Sequence, residues 1–153
     1  METKSKQYKL KVIGWREWVS LPEFSIGPLK VKVDSGARTS ALHATKIRYL
    51  ENSDGETWVS FVVTEQMNPP RTVRVRARFV EQRMVRSSSG QASLRPVIRT
   101  SIQLGEETWP LEITLVNRDP MGFRMLLGRQ AIKGRFMIHP GRSFIQSQPR
   151  DDK

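Results

Sequence analysis

The sequence predicts an all-β fold, a small and mainly antiparallel barrel with one short helix near the C-terminus. Apolar and polar residues alternate with a period of two along much of the chain, as in strands that bury one face. Clusters of Gly, Pro, Asn, Asp and Ser separate these segments and indicate turns between them. With 153 residues and 37% hydrophobic content, the chain is expected to form one globular domain, residues 1–153, with flexible tails at about 1–7 and 147–153.

The first predicted strand runs from Leu29 to Val33 and follows the turn signal Gly27-Pro28. In a later strand, from Val73 to Phe79, apolar residues alternate with three arginines, so that one face is apolar and the other basic. The polar segment from Gln146 onward is expected to fray. The other predicted elements are hairpins at 47–50 with 57–64, 96–104 with 108–117 and 136–138 with 143–145, an apolar strand at 125–127, and the helix at 129–133.

The composition excludes several kinds of protein and favours an anionic partner. The chain has no cysteine, which excludes disulfides, cysteine zinc sites and thiol catalysis. It has no run of about 18 apolar residues and no apolar N-terminal signal, so we expect a cytoplasmic protein without a membrane helix. The net charge of +11 suits nucleic acid, a ribosomal surface or an acidic polypeptide, and serves equally well to keep a protein in solution.

Asp34 is the candidate catalytic residue. It ends an alternating strand and opens the tetrapeptide Asp34-Ser35-Gly36-Ala37. Alone, such residues usually form an ordinary turn. Here they follow a strand directly and precede further small residues, which suits a carboxylate presented on a tight loop. Gly36 permits positive φ and close approach of the backbone, and the hydroxyl of Ser35 can tie the loop to a neighbour.

A second segment, from Met125 to Ile132, is an apolar strand followed by Gly128 and a short helix, which alone is common in protein cores. Together the two segments resemble the retropepsin family of aspartic proteases. Its members carry an apolar strand, then Asp-Thr/Ser-Gly-Ala, and later an apolar pair followed by Gly-Arg/Asn and a short helix. The resemblance implies a retropepsin-like acid-protease barrel in which Leu127 and Gly128 pack behind the Asp34 loop.

The chain is still more similar to a bacterial family of retropepsin-like proteins labelled ATP-dependent zinc proteases, over nearly its whole length. That family is associated with ATP-grasp ligases that add glutamate to peptides or ribosomal proteins. Compared with retroviral proteases the middle of this chain is longer, so the residues of the flap cannot be transferred. The segments that carry the resemblance are 13–19, 33–44, 95–98, 114–118, 121–123, 125–130 and 140–144.

A single Asp-Ser-Gly loop supplies half of an aspartic protease site. The reaction needs two carboxylates that share a proton, because two like charges so close cannot both ionise easily. The resemblance therefore implies a homodimer in which Asp34 of each subunit meets at a two-fold axis. Asp119 is a rival second carboxylate, but its sequence context is typical of a turn, as is that of Asp54.

The zinc and ATP in the family label find no support in the residues. A phosphate-binding loop with Lys and Ser/Thr is absent, and the only histidines, His43 and His139, do not form a His-Glu-x-x-His pair. We therefore assign no metal ligand and no cofactor. His139 precedes a proline in a turn and has a structural interpretation. His43 lies in a matching segment and is either a residue that binds substrate or a hydrogen-bonded structural histidine.

The matching segments also imply that Arg38, Thr39 and Arg129 bind substrate. A guanidinium beside the site could hold an acidic substrate or pair with a carboxylate of the loop, and the alternative is a surface ion pair of little energetic value. The predicted function is thus an aspartic peptidase acting on acidic or glutamate-modified peptides or ribosomal protein tails. The alternatives are a basic β-barrel that binds RNA or the ribosome, with Trp58, Phe61 and Phe79 as stacking aromatics, and an inactive retropepsin-fold adaptor.

Overall fold

The computed structural model describes residues 10–87, 89–117 and 122–148, and these residues form an all-β fold with one short α-helix. A 3₁₀ turn at Pro22–Phe24 separates the second strand from the third. The elements in chain order are β1 Lys11–Gly14, β2 Arg16–Leu21, β3 Ile26–Asp34, β4 Ser40–His43, β5 Thr45–Glu51, β6 Thr57–Thr64, β7 Thr72–Arg86, β8 Ala92–Leu104, β9 Glu107–Val116, β10 Met125–Gly128, α1 Arg129–Ile132 and β11 Phe136–His139.

Nine of these strands form one sheet that closes into a barrel. Their order is β2-β3-β10-β4-β9-β8-β7-β6-β5, and β2 also pairs with β8 through Ser20 and Gln103. The strands from β2 to β8 in this order therefore form the closed part, and β7, β6 and β5 extend it as an open sheet. Strands β1 and β11 form a separate parallel pair.

The antiparallel hairpins confirm the alternating pattern of the sequence. Strands β5 and β6 flank the turn at 52–55, and β8 and β9 flank the turn at 105–106. In β7, Val75 and Ala77 are buried while the arginines between and beside them are exposed. An antiparallel sheet can leave one face in water, and here that face carries the arginines.

The core lies directly beneath the strands that lead to Asp34. Side chains of β3, β4 and β10 are at most 1% exposed at Leu29, Val31, Leu42, Met125 and Leu127. Each such side chain contributes about 1.5–3 kcal/mol when it is removed from water. The strands that carry the candidate site are therefore fixed by fully buried side chains.

The hairpin predicted at 136–138 with 143–145 is wrong. Strand β11 instead pairs in parallel with β1, a strand that no sequence pattern predicted, and residues 143–145 form no strand. After β11 the chain turns back onto β2, where the N–H of Phe144 donates to the carbonyl of Arg16 at 3.0 Å. Phe144 stacks on Trp18 with ring centroids 6.1 Å apart, so the segment is held by side chains as well.

The fraying predicted from Gln146 is also wrong for the first residues of that segment. The carboxylate of Glu17 is fully buried and accepts hydrogen bonds from the backbone N–H groups of Gly14, Ile145, Gln146 and Ser147. The hydroxyl of Ser147 donates to the same carboxylate at 2.6 Å. Hydrogen bonds to a charged group are among the stronger ones in proteins, so Glu17 fixes the C-terminal segment to β2.

Candidate active site

Asp34 is the last residue of β3, and the loop that follows fixes its carboxylate. The oxygen Oδ1 accepts a hydrogen bond from the N–H of Gly36 at 3.1 Å, and the Asp34 carbonyl accepts one from the N–H of Ala37 at 3.2 Å. Aspartate often closes a tight turn in this way, by bonding its own backbone two residues further on. Since Asp34 is half-buried, its carboxylate is oriented but still within reach of a ligand.

Strand β10 and the start of α1 hold this loop from behind. β10 runs parallel to β3 with Gly128 beside Asp34, and the fully buried Leu127 precedes Gly128 in the core. The N–H of Arg129 donates to the carbonyl of Ala37 at 2.7 Å, and the N–H of Gln130 donates to the carbonyl of Arg38 at 3.0 Å. The first N–H groups of a helix lack partners within it, and here the Asp34 loop supplies the acceptors.

Gly128 is a glycine because the loop passes directly over it. A Cβ atom at this position would lie 2.6 Å from the carbonyl carbon of Thr39 and 2.9 Å from the backbone nitrogen of Ser40. The N–H of Gly128 donates to Oγ of Ser40 at 3.0 Å, and Ser40 is buried. Sequence reasoning did not single out Ser40, because its partner lies 88 residues away and a serine after a turn has no distinctive signal.

Two residues support the loop in ways that differ from the sequence prediction. Gly36 does not adopt the positive φ that a glycine permits. Its missing side chain instead leaves room for the carboxylate, since a Cβ atom would lie 3.3 Å from Oδ1 of Asp34. Ser35 is tied to a neighbour through its carbonyl, which accepts a hydrogen bond from Nη1 of Arg129 at 2.9 Å. The exposed guanidinium of Arg129 therefore holds the loop itself.

Arg38 and Thr39 line a cavity of about 470 Å³ beside the loop. Its opposite wall contains Arg83 of β7, which donates hydrogen bonds to Glu81 and, at 3.1 Å, to Glu112. The hydrogen bond to Glu81 raises the pKa of Arg83 most, and that to Glu112 adds to it against the opposing effect of burial. Among the described residues Arg38 is in no ion pair, so it is the basic side chain available to a ligand in this cavity.

The two histidines contribute to other parts of the fold. Ser40 at the start of β4 contacts Gly128, whereas His43 lies at the other end of β4, about 10 Å further on at the rise of a strand. The backbone N–H of His43 donates to the carbonyl of Arg124 there, so the structure does not bring this residue to the Asp34 loop. Nδ1 of His139 accepts the N–H of Gly141 at 3.1 Å within a turn, as its structural interpretation predicts.

Asp54, the other aspartate considered above that the structure describes, does not complete the site. Asp54 lies in the turn between β5 and β6, where its N–H donates to Oδ1 of Asn52 at 3.0 Å. Asp119 and the tails at 1–7 and 149–153 lie outside the described residues. In the ranges that the structure covers, no three His, Asp or Glu side chains lie close enough together to hold a metal ion. None of the helical segments described has the length and apolar character needed to span a membrane.

Comparison with known proteins places this arrangement in a family. A family model described as "RimB-like: Retropepsin-like aspartic endopeptidase RimB" matches residues 12–149. The match includes β3 with the Asp34 loop, β10 and α1. This chain belongs to the RimB-like family. The expected retropepsin-like fold is thereby confirmed, and a peptidase-like architecture is shown, while the reaction is a separate question.

Relatives of this RimB-like chain are much longer proteins. The chain is 46% identical over 137 residues to a protein of Desulfotalea psychrophila, and 44% identical over 143 residues to one of Parasynechococcus marenigrum. Both are named probable alpha-L-glutamate ligase, and the matches cover 89% and 93% of this chain but 29% and 30% of those proteins. The chain therefore spans about a third or less of the curated relatives it matches.

A solved structure resembles the RimB-like fold described above. A Legionella pneumophila protein of unknown function superimposes with a TM-score of 0.72 at 25% sequence identity. The superposition covers 89% of this chain and 98% of that one, so the same barrel accounts for nearly the whole of both chains.

Proposed function

We propose that this chain is an aspartic-type peptidase that acts as a homodimer on acidic peptides, including glutamate-modified peptides or ribosomal protein tails. The observation that carries the proposal is the Asp34 loop. Its carboxylate stands half-buried at the end of a strand whose side chains at Leu29 and Val31 are fully buried, and both its own backbone and β10 with α1 orient it. Such fixed placement of a reacting group is what catalysis requires.

In the proposed reaction two Asp34 carboxylates, one from each subunit, share a proton. The ionised carboxylate takes a proton from a water molecule, whose oxygen attacks the carbonyl carbon of the peptide bond. The protonated carboxylic acid donates its proton to the carbonyl oxygen as the tetrahedral intermediate forms. The carboxyl group that took the proton from water then donates it to the amide nitrogen, while the second carboxylate removes a proton from a hydroxyl of the intermediate. The carbon–nitrogen bond breaks, the amine and the carboxylic acid leave, and the two carboxylates again share one proton. Since each chain supplies one such loop, the site requires a second copy of the chain.

Charge supports an acidic substrate. The net charge of +11 attracts anionic chains, and Arg38, which has no ion pair with any residue that the structure describes, lies in the cavity next to the loop. The names of the longer relatives indicate proteins that join glutamate, so a matching domain that cleaves glutamate-containing bonds would act on the same chemical group. The ligase activity is not assigned to this chain, because the match covers less than a third of those proteins.

The aromatic residues offer little to the RNA-binding alternative. Phe61 is fully buried in the core, the ring of Trp58 lies under the guanidinium of Arg78 at 6.0 Å, and Phe79 packs edge-on against Tyr49 at 5.4 Å. A stacking platform for bases needs open ring faces. These three rings already have partners, so we favour a peptide substrate.

The central test compares Asp34→Asn with wild type in hydrolysis of oligoglutamate-tailed peptides. The substitution keeps the shape and removes the shared proton, so we expect hydrolysis to fall at least about a hundredfold while the dimer remains. Asp54→Asn is the matched control, because it changes an aspartate in a distant turn and should leave the rate unchanged. Size is measured by sedimentation for all three proteins. Unchanged hydrolysis in Asp34→Asn, or full activity in a strict monomer, would contradict the proposal.

A salt series tests the acidic substrate separately. Attraction between exposed charges is screened at high ionic strength, so cleavage of the oligoglutamate peptide should slow as salt is added, and cleavage of a neutral peptide should not. The measurement is kcat/KM for both peptides at each salt concentration. Equal values without salt dependence would remove the electrostatic part of the proposal and leave the peptidase part intact.

A further inference from the structure

The outer face of the extended sheet carries a second and larger cavity, of about 910 Å³. It is lined by Trp58 of β6, Arg76 and Arg78 of β7, and Arg99 of β8. Trp58 of β6 lies directly opposite Arg78 of β7. Phe79 lies opposite Ile98 in the antiparallel pair of β7 and β8, so the residues before and after them, Arg78 and Arg99, also lie opposite each other and share a face. Three guanidinium groups therefore face one concave surface.

The carboxylates of this cavity are already engaged. Glu56 forms a salt bridge with Arg78, and Glu23 accepts hydrogen bonds from the hydroxyls of Thr100 and Ser101 at 2.8 and 3.1 Å. By contrast, Arg76 and Arg99 form no salt bridge among the residues that the structure describes. Arg99 lies opposite Glu112 of β9, but that carboxylate is bonded to Arg83 at 3.1 Å. A concave surface with two unpaired guanidinium groups favours a ligand that brings its own carboxylates.

Pro110 connects this cavity with the one beside Asp34, because it lines both. Ser40 lies next to Ile113 of β9, and Pro110 lies three residues away along the same strand. Pro110 in turn pairs with Ser101 of β8, and β7 is the next strand over. At the usual rise and spacing of strands, the path from the Asp34 loop to Arg76 is about 20 Å. An extended peptide of about six residues has this length.

We infer that the cavity containing Arg76 and Arg99 is a remote docking site for the acidic portion of the substrate, about six residues from the bond that is cleaved. The inference rests on the proposed function and extends it, since it assigns two residues away from the loop to the recognition of substrate length. A peptide long enough to occupy both cavities gains the contacts of the arginines. A shorter acidic peptide occupies the cavity beside Asp34 alone.

An acidic peptide suits this cavity better than RNA does. The guanidinium of Arg78 lies over one face of the Trp58 ring at 6.0 Å, so a base that stacks on that face would displace this contact. The engaged carboxylates of Glu23 and Glu56 also lie in the cavity and would repel a continuous phosphate backbone. In an extended peptide alternate side chains point to opposite sides, so separate carboxylates can face the two arginines.

The test measures binding rather than cleavage, in the Asp34→Asn background, by fluorescence anisotropy of labelled oligoglutamate peptides of about two and about eight residues. We expect the added substitutions Arg76→Ala and Arg99→Ala to weaken binding of the long peptide about tenfold or more, because two charge-assisted contacts are lost. Binding of the short peptide should change less than about twofold. Arg→Lys at both positions keeps the charge and should restore part of the affinity.

Arg48→Ala with Arg86→Ala is the matched control, because it removes the same charge from exposed positions that line neither cavity. Equal loss of affinity in this control would overturn the docking site in favour of a general effect of charge. A uridine oligonucleotide that binds through Arg76 and Arg99, while the long peptide does not, would overturn it in favour of nucleic acid. Because binding does not require Asp34, the expected length dependence would stand even if the wild type hydrolysed nothing.

Discussion

The strands around Asp34 and the hairpins of the extended sheet are built in opposite ways. Around Asp34 the pairings β3 with β10 and β4 with β9 are parallel and join segments distant in sequence. In the extended sheet, β5, β6 and β7 each pair antiparallel with the next strand along the chain, and β7 joins this sheet to β8 of the barrel. The first region is stabilised by long-range contacts and holds one carboxylate rigidly, whereas the second is assembled locally and presents a basic face. The proposed catalysis and the proposed recognition thus each fall in the region whose construction suits them.

Glu65 joins the two regions. Glu65 follows β6 and is fully buried. Its carboxylate accepts a hydrogen bond from the N–H of Gly27 at 2.9 Å, near the start of β3, the strand that ends at Asp34. Arg71 donates to both of its carboxylate oxygens at 2.7 Å. Burial acts to raise the pKa of Glu65, but the hydrogen bonds from Arg71 and Gly27 and the charge of Arg71 together lower it below its usual value of 4.5.

The largest difference between the regions is expected from glycine substitutions. Gly128→Ala should destabilise the fold by about 3 kcal/mol and abolish hydrolysis, because the new Cβ atom forces the Asp34 loop away from β10. Gly55 lies in a hairpin turn with a φ of 80°, and a Cβ atom there would have no neighbour within 4 Å, so Gly55→Ala should cost about 1 kcal/mol, for backbone strain alone. Urea unfolding and peptide hydrolysis measure both variants. Equal destabilisation by Gly128→Ala and Gly55→Ala would show that the Asp34 loop can move away from β10 at little cost in stability.

Acidification should weaken the link that Glu65 forms between the two regions. Because the folded-state pKa of Glu65 lies below 4.5, its contribution to stability is complete above about pH 4.5 and disappears as the pH falls through the lowered value. Glu65→Gln should therefore cost about 2 kcal/mol at pH 7 and progressively less below pH 4.5. Urea unfolding of both proteins from pH 7 to pH 3 measures this difference. A difference that is constant across that range would contradict the assigned linkage.

A smaller contrast is expected from two buried serines. Ser40→Ala removes the acceptor of the Gly128 N–H inside the Asp34 region, and an unsatisfied buried N–H costs about 1–2 kcal/mol. Ser60→Ala on β6 removes the acceptor of an arginine, Arg74, whose guanidinium can turn to water, so its effect should stay below about 0.5 kcal/mol. Thermal unfolding of the two variants compares them directly. A larger loss of stability in Ser60→Ala than in Ser40→Ala would contradict the view that the Asp34 region is the more rigid of the two.

The same contrast explains what the sequence predicts well. Alternation in Val73 to Phe79 and the turn residues between β5 and β6 are local signals, and both correctly predict antiparallel hairpins with one exposed face. The strand at 136–138 was predicted, but β1 and its parallel pairing with that strand were not, since parallel partners are set by segments far apart in the chain. The hairpin predicted at the end of the chain failed for this reason.

The candidate site divides in the same way. Asp34 and the Gly128 segment were identifiable from their motifs and from family resemblance. The buried hydroxyl of Ser40 and the contact of Arg129 with the Ser35 carbonyl were not, because each depends on a partner about ninety residues away. Burial of Glu17 was equally unforeseen, since a glutamate beside two tryptophans has no sequence pattern that predicts a fully enclosed carboxylate.

Glu17 and the β1–β11 pair also determine how this barrel can be carried by a longer polypeptide. Lys11 lies beside Phe136, and the side-chain amide of Gln146 donates to the carbonyl of Val12 at 3.0 Å, so the chain enters and leaves the barrel at neighbouring points. A unit with adjacent entry and exit can be inserted as a module without stretching its host. Glu17 fastens these two points to each other, because its carboxylate accepts hydrogen bonds from Gly14 near the first point and from Gln146 at the second.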